Sequence, residues 1–337
     1  MAYSIFPLVN YLVWLGLRGR ADALDGKNEA AFQELDNGSQ TLSNVTWKKT
    51  SSAEKAQTGS WFAATSIFTL VLIMYAPVLI SLARQWWDDP NYGHGFFVPI
   101  FAGYVLWSER DQWGALTNRP NNFGLVIMLF AIGLRVLGML GAELFMARLS
   151  LVILIAGIVL FMAGRRVLRT IAFPIGYLLF MIPLPAIVYY QLTLPLQLLA
   201  SRLGATGLVT LGIRTVRQGN LLLLPNCTLN VVEACSGIRS LLSLLAAVVA
   251  YGYLAEPSTW KRSLLAVASI PIAIATNGLR LVATGVLSYY FGPSVDTGAV
   301  HLALGISFIA LAFLSILVIH KMLGLPLRHQ NPARVSL

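Results

Sequence analysis

The sequence predicts an all-α protein that crosses a membrane about eight times. Of its 337 residues, 57% are hydrophobic and only 11% are charged, a balance typical of polytopic membrane proteins. The net charge of +10 comes from basic residues scattered between apolar runs, which indicates membrane orientation rather than nucleic-acid binding. The two cysteines, Cys227 and Cys235, are too few for a disulfide scaffold and form no cluster with histidines. We therefore expect no metal and no other cofactor.

The N-terminal part differs in composition from the rest. Residues 5–17 form an apolar run without a basic start or a cleavage site, too short to span a bilayer. Residues 18–60 are rich in Asn, Gln, Ser, Thr, Lys and Glu, which favours a flexible polar tail. The predicted domains are a cytoplasmic tail over 1–60, a membrane domain over 61–323 and a cytoplasmic tail over 324–337.

Eight apolar runs predict the membrane helices. They lie at roughly 62–83, 95–108, 123–145, 148–164, 168–184, 237–254, 263–288 and 299–320. The second run is short for the ~20 residues that a bilayer requires. When the amino terminus is placed inside, most of the 24 lysines and arginines fall on the inner side. Both termini are therefore predicted to be cytoplasmic.

Residues 185–236, between the fifth and sixth runs, are then external. In the first part, "LPAIVYYQLTLPLQLLASRLG", polar residues interrupt apolar turns, a pattern that predicts an interfacial helix. In the second part, two apolar runs flank Pro225 and Asn226, which predicts a short β-hairpin. This hairpin would cap the membrane domain just before Cys235.

Cys235 opens the sixth run, in the stretch "NVVEACSGIRS". The first turn of a helix carries unpaired N–H groups and a partial positive charge, which favour a thiolate. The thiolate is the nucleophilic form of cysteine. The alternative is that Cys235 is a small buried hydrophobe.

Two more polar residues belong to the same predicted outer face. Arg280 lies in the outer half of the seventh run, where a guanidinium costs ~2.5–3.5 kcal/mol and must face the protein interior or water. His301 opens the eighth run. With Cys235 as nucleophile, His301 as general acid–base and Arg280 stabilising the thiolate or an oxyanion, acyl transfer is possible. Alternatively, Arg280 pairs with a structural partner and His301 is an ordinary interfacial residue.

The segments that carry these residues resemble the exosortase/archaeosortase family of membrane cysteine transpeptidases. They read "VVEACSGIRSL", "NGLRLVATGVLSYYFGP" and "HLALGISF" on successive runs, and "YGHGFFVPIFAGYVLW" resembles the family's early segment. The resemblance covers roughly residues 60–323 and implies that Cys235, Arg280 and His301 match the family's nucleophile, arginine and histidine.

The resemblance also implies the activity and the partners. It implies a hydrolase of the inner membrane, a cysteine protease or transpeptidase that cleaves the C-terminal sorting signal of exported clients through a thioacyl-enzyme. The implied signal is a Pro-Glu-Pro motif, a transmembrane helix and a basic tail, and such clients are often linked to exopolysaccharide production. The expected partners are these client proteins and the lipid bilayer.

Several neighbouring residues are candidates for client binding or for support of the site. Arg239 would bind the glutamate of the client or make a structural hydrogen bond, and Glu233 would pair with Arg239. Asn277 would orient Arg280 or His301.

Two residues that precede this group in the sequence, His94 and Cys227, have alternative roles. His94 is a substrate-binding, supporting or merely interfacial residue on the external side. Cys227 is structural or incidental, because a disulfide with Cys235 would block the nucleophile.

Two other functions stay open on the sequence alone. A thiol-dependent acyltransferase or thioesterase acting on lipid or polysaccharide intermediates would also use Cys235. An anion transporter would use Arg280 and Arg135, but the sequence shows no convincing internal repeat of the kind expected for that class.

Overall fold

The computed structural model describes residues 69–116, 119–141, 143–231, 237–292 and 298–322. These residues are mostly helical and include one small antiparallel sheet. The predicted class, an all-α polytopic membrane protein with a short β element, is therefore confirmed. The predicted N-terminal and C-terminal tails lie outside the described residues.

Most elements of the described chain are helices, and three short strands precede the last three of them. The α-helices are α1 (Thr69–Asp88), α2 (Phe97–Ser108), α3 (Arg110–Gly114), α4 (Phe123–Leu140), α5 (Leu144–Met162), α6 (Gly164–Thr170), α7 (Ala172–Tyr177), α8 (Ala186–Thr210), α9 (Ile238–Ala255), α10 (Thr259–Phe291) and α11 (Gly298–Met322). Two 3-10 helices cover Pro90–Phe96 and Leu178–Met181, and the strands are β1 (Val216–Gln218), β2 (Leu221–Leu223) and β3 (Thr228–Asn230).

Among the described residues, 7 helices are long and apolar enough to cross a membrane: α1, α4, α5, α8, α9, α10 and α11. The predicted second span corresponds to α2, which has only 12 residues. The predicted fifth span, 168–184, is broken into α6, α7 and a 3-10 helix. The helix expected to lie in the interface, α8, is 25 residues long and qualifies as a span. Because α2 is too short to qualify and α8 takes the place of the fifth span, four candidate spans of the described residues precede α9 instead of the five that were predicted.

The chain forms two compact units. Within the described residues, the first unit holds 69–85 and 95–182, and the second holds 86–94 and the chain from 183 onward.

In the first unit, α4 and α5 pack as an antiparallel pair through glycines. A Cβ on Gly124 would lie 2.3 Å from the backbone nitrogen of Phe161, and a Cβ on Gly138 would lie 2.7 Å from that of Ala147. Small residues at such positions allow membrane helices to approach closely.

Two buried arginines attach α1 to this pair. Arg135 donates to the carbonyl of Met74. Arg148 donates to Gln85 Oε1 at 2.7 Å and to Ser81 Oγ at 2.9 Å.

In the second unit, α8, α9, α10 and α11 alternate in direction. On α8 and α10, Leu203 contacts Gly278 and Leu208 contacts Gly285, so these two helices run parallel. The helix α9 is antiparallel to α10, since its N-terminal Gly237 lies against Asn277 and its Gly252 lies near Arg262.

The helix α11 is also antiparallel to α10. Gly305 of α11 faces Arg280, whereas Ile316 packs in one apolar cluster with Leu265 near the start of α10. The beginnings of α9 and α11 therefore lie at the same end of this unit as the C-terminal half of α10.

The three strands form one antiparallel sheet in the order β1-β2-β3. The predicted hairpin around Pro225 and Asn226 is the β2–β3 pair, and β1 adds a third strand that was not predicted. The buried side chain of Leu222 packs in one cluster with Leu208 of α8 and Leu281 of α10. The sheet thus covers the C-terminal halves of α8 and α10.

At the opposite end of the same unit, a buried polar group closes the helices. His320 and Glu256 are each 1% exposed, and His320 Nε2 lies 3.6 Å from Glu256 Oε2. The other ring nitrogen of His320, Nδ1, lies 2.6 Å from the hydroxyl of Tyr251. The guanidinium of Arg262 donates to the Glu256 carbonyl at 2.6 Å. These contacts join α9, α10 and α11.

Candidate active site

The start of α9 is fixed by a glycine. Gly237 precedes the helix with φ of +86°, a left-handed conformation that L side chains rarely adopt. A Cβ at this position would lie 2.8 Å from Nδ2 and 2.9 Å from Cγ of Asn277. Both the backbone conformation and the space therefore require glycine at position 237. As a result, the first turn of α9 lies directly against α10.

Arg280 is on the next turn of α10. It is 8% exposed and Asn277 is 4% exposed. A Cβ on Gly305 of α11 would lie 4.0 Å from Nη1 of Arg280, so α11 passes beside the guanidinium. Position 301 is one helical turn before Gly305, in the first turn of α11. The side chain of His301 lies outside the described part of the structure, as do Glu233 and Cys235.

The depth of Arg280 follows from the length of α10. This helix is continuous over 33 residues, and at 1.5 Å per residue Arg280 lies about 32 Å from Thr259. That length matches the ~30 Å hydrocarbon core of a bilayer. The last part of α10, from Arg280 to Phe291, then extends about 16 Å further. Arg280 therefore lies in the second half of α10, toward the end at which α9 and α11 begin.

A narrow crevice adjoins Arg280 between α9, α10 and α11. Its polar lining consists of Ser240, Thr276, Asn277 and Arg280, and its apolar lining comes from Leu244, Ala273, Phe308, Ile309 and Ala312. Sequence reasoning missed Ser240 and Thr276. The available signal was that Thr276 lies one turn before Arg280 on the same helix. Its hydroxyl donates to the Ile272 carbonyl at 2.7 Å.

Two other predicted residues lie around the first turns of α9. Arg239 is half-buried and makes no hydrogen bond or ion pair with the residues that the structure describes. His94, on the Pro90–Phe96 helix, has its Nδ1 3.4 Å from Ser243 Oγ of α9. Tyr92, from the same 3-10 helix, packs against Ile238. The segment around His94 therefore contacts the same helix that follows Cys235, and Ser243 is a partner that sequence reasoning missed.

The structure thus brings Asn277, Arg280 and the α11 turn of position 301 together at the start of α9. Arg239 lies on that same first turn, whereas His94 contacts α9 farther along, at Ser243. Within the described ranges, no group of His, Cys, Asp and Glu side chains could hold a metal ion.

The fold and this arrangement define a multi-pass membrane protein with a buried polar site at one end of a four-helix unit. A family model, that of the transmembrane exosortases (Exosortase_EpsH), matches residues 86–318. The chain therefore belongs to this family, and the resemblance drawn from its motifs is confirmed. Exosortases are generally cysteine transpeptidases, and membership implies PEP-CTERM client proteins. No curated protein and no solved structure matches the chain.

Proposed function

We propose that this exosortase cleaves the C-terminal sorting signal of exported client proteins at the external face of the inner membrane, with Cys235 as the nucleophile. The observation that carries the proposal is the contact of Gly237 with Asn277, one turn from Arg280. Arg280 in turn lies beside Gly305, one turn from position 301. The helices α9, α10 and α11 thus meet around Arg280.

Chain geometry supports the position of Cys235. It precedes Gly237 by two residues, and two residues span at most about 7 Å. On the other side of residues 232–236, the buried Val231 packs in the cluster that contains Leu281. The two ends of this short stretch are therefore held at Asn277 and Leu281, the turns of α10 that flank Arg280.

The electrostatics of this end favour a thiolate. The N-terminal turn of α9 contributes a partial positive charge and the guanidinium of Arg280 adds a full charge, while the charge of Arg239 is offset where Glu233 pairs with it. Glu256, the one acid in the described parts of α9, α10 and α11 and their connections, is at the opposite end of α9. Cations near a thiol lower its pKa and raise the fraction that can attack a carbonyl.

The reaction proceeds in two stages. The Cys235 thiolate attacks the scissile carbonyl carbon, and Arg280 stabilises the charge on the oxyanion. The C–N bond then breaks, His301 gives a proton to the leaving amine, and the membrane anchor departs. The thioester on Cys235 is next attacked by water or an amine, which gives its proton to His301 and regenerates the thiolate.

The other candidate residues support this chemistry. Asn277 is a positioning residue, because its amide contacts the backbone two residues from Cys235 and it lies one turn from Arg280. Arg239 binds a carboxylate of the client, and Glu233 pairs with Arg239 in the absence of a client. His94 positions the first turns of α9 through Ser243.

A role of Arg135 in an anion path is not needed to explain its burial. Its guanidinium stacks on the ring of Tyr75, 4.6 Å from the ring centroid, and bonds to a backbone carbonyl. We therefore retain the sorting function over the transporter, and the match to the exosortase family supports it over the lipid acyltransferase.

The test is the processing of a PEP-CTERM client by single variants in membranes. We expect Cys235→Ala, Arg280→Ala and His301→Ala each to abolish processing while the protein accumulates normally. Cys227→Ala is the matched control and should process the client fully. Mass spectrometry of the client's mature C-terminus reports cleavage, its position and any attached group. Normal processing by Cys235→Ala would refute the proposal.

A further inference from the structure

Three exposed arginines follow one another at the end of α8 and the start of the sheet. Arg202 lies on α8, Arg214 follows it and Arg217 lies on β1. We call them the arginine corner.

Two hydrogen bonds at the corner share one acceptor, the carbonyl oxygen of Gly219. The hydroxyl of Ser201 donates to the Gly219 carbonyl oxygen at 3.0 Å, and Nη1 of Arg217 donates to the same oxygen at 2.9 Å. Arg202, the neighbour of Ser201, and Arg217 are thereby tied to a common point. The side chain of Arg217 and the backbone beside Arg202 are therefore fixed at this point, and Arg214 lies three residues before Arg217 in the sequence.

The positive charge of the corner has no acidic counterpart in its own part of the chain. Residues 183–231 contain these three arginines and not one Asp or Glu. The next acid along the chain is Glu233. Such a surface attracts an acidic partner and repels a basic one.

The strand β1 offers backbone groups beside this charge. Its three residues are all exposed, and among the described residues it pairs with β2 on one side only. An edge of this kind can accept an extended peptide as an additional strand. A proline-containing segment suits an edge, because proline disfavours helix and can be placed where no N–H is needed.

The corner is also close to the candidate active site. Arg217 is the cross-strand partner of Leu222, and paired strands lie about 4.8 Å apart. Leu222 packs in the same cluster as Leu281, the residue after Arg280. A peptide on β1 is therefore separated from the Arg280 turn by two strands, β1 and β2, and one layer of side chains.

We propose that the arginine corner and the free edge of β1 bind the acidic, proline-containing part of the client's sorting signal and present the adjacent bond to Cys235. This inference rests on the proposed function, since it names where that enzyme recognises its client. Client binding at the arginine corner differs from contact of the client with Cys235, because it takes place before any bond is broken.

The experiment measures client binding without turnover. The Cys235→Ala protein in neutral-lipid nanodiscs is titrated with a labelled client peptide that contains the signal and its helix. The triple variant Arg202→Gln, Arg214→Gln, Arg217→Gln should bind several-fold more weakly, since an exposed ion pair between the corner and the signal glutamate contributes a factor of about two to five. The matched control neutralises three exposed arginines of α6, Arg165, Arg166 and Arg169, and should bind like the parent.

A second client, with its signal glutamate changed to glutamine, identifies the partner of the charge. It should bind the parent protein weakly and lose little more with the triple variant. Equal binding by parent and triple variant would overturn the inference, as would an equal loss for both clients. A loss that appears only in anionic-lipid nanodiscs would assign the corner to lipid and also refute it. If the unsubstituted wild type neither binds nor processes the client, the proposed function fails as well.

Discussion

At the scale of single residues, the contact between Gly237 and Asn277 determines where the start of α9 meets α10. Both members are explained by the structure: glycine by its positive φ and the lack of space for a Cβ, and asparagine by its burial against that glycine. A substitution at Gly237 should therefore affect stability and activity together.

The comparison of Gly237→Ala with Gly212→Ala tests this point. Gly212 has a similar φ of +83°, but a Cβ there would have nothing within 4 Å. Gly212→Ala should cost only the left-handed strain, about 1–2 kcal/mol. Gly237→Ala adds a clash with Asn277 and should cost about 1–3 kcal/mol more. Thermal unfolding in detergent and client processing are the readouts. Equal effects of the two changes would contradict the account.

Residue chemistry explains which parts of the site could be predicted from sequence. Arg280 stood out because a charge in an apolar run is expensive, and Asn277 because it lies one turn away on the same helix. Ser240 and Ser243 gave no such signal, because a small hydroxyl side chain in a membrane helix can bond to the preceding turn, whereas Thr276 could have been noted from its place one turn before Arg280. Their proximity to the site comes from helix packing, which the sequence does not encode locally.

At the scale of elements, the polar group that joins α9, α10 and α11 holds together the end of the unit opposite the candidate site. The side chains of Glu256 and His320 are fully buried and face each other. Each therefore depends on the other for compensation of its polarity.

Removal of one member should cost more than removal of both. His320→Leu leaves the Glu256 carboxyl buried without the imidazole and should lower the free energy of unfolding by about 3–5 kcal/mol. In the double variant His320→Leu, Glu256→Gln, the free energy of unfolding should fall by about half as much, since a neutral amide costs less to bury than a carboxylate. Thermal unfolding in detergent measures both. Additive losses from the two single changes would show that the pair is not coupled.

The helix α8 shows why one membrane span was misassigned from sequence. The mean hydropathy of α8, 1.2 over its 18-residue stretch, is the lowest among the candidate spans. Two of its polar side chains are satisfied locally, because Thr193 donates to the Tyr189 carbonyl and Ser201 to the Leu198 carbonyl. The more apolar segment 168–184 breaks into short helices, and proline content does not explain the difference, because α8 is continuous through Pro195. Average hydropathy alone could not distinguish these cases.

At the scale of the whole molecule, the described residues contain seven candidate spans instead of the predicted eight, so the prediction that both termini are cytoplasmic does not follow from this count. The helices α8 to α11 alternate in direction, and the basic residues Lys261, Arg262 and Lys321 lie at the end of this unit opposite the candidate site. By the positive-inside rule, we expect that end to be cytoplasmic and the start of α9 to be external.

Cysteine labelling in right-side-out vesicles tests this orientation. In a background with Cys227→Ala and Cys235→Ala, an impermeant maleimide should label Arg214→Cys at once. It should label Arg166→Cys only after permeabilisation, because α6 precedes α8 on the inner side. Both positions are exposed in the structure, so access to the thiol does not differ for other reasons. The reverse pattern would place the start of α9 in the cytoplasm and exclude an external site.

The central claim is that Cys235 forms a thioester with the client, and trapping with hydroxylamine tests it most directly. Hydroxylamine attacks a thioester faster than water does, so the cleaved client should end in a hydroxamate, detected by mass spectrometry. We predict this product with the wild-type protein and its absence with Cys235→Ala. A client cleaved by the wild type to a plain carboxylate at high hydroxylamine, or cleaved equally by Cys235→Ala, would contradict the account.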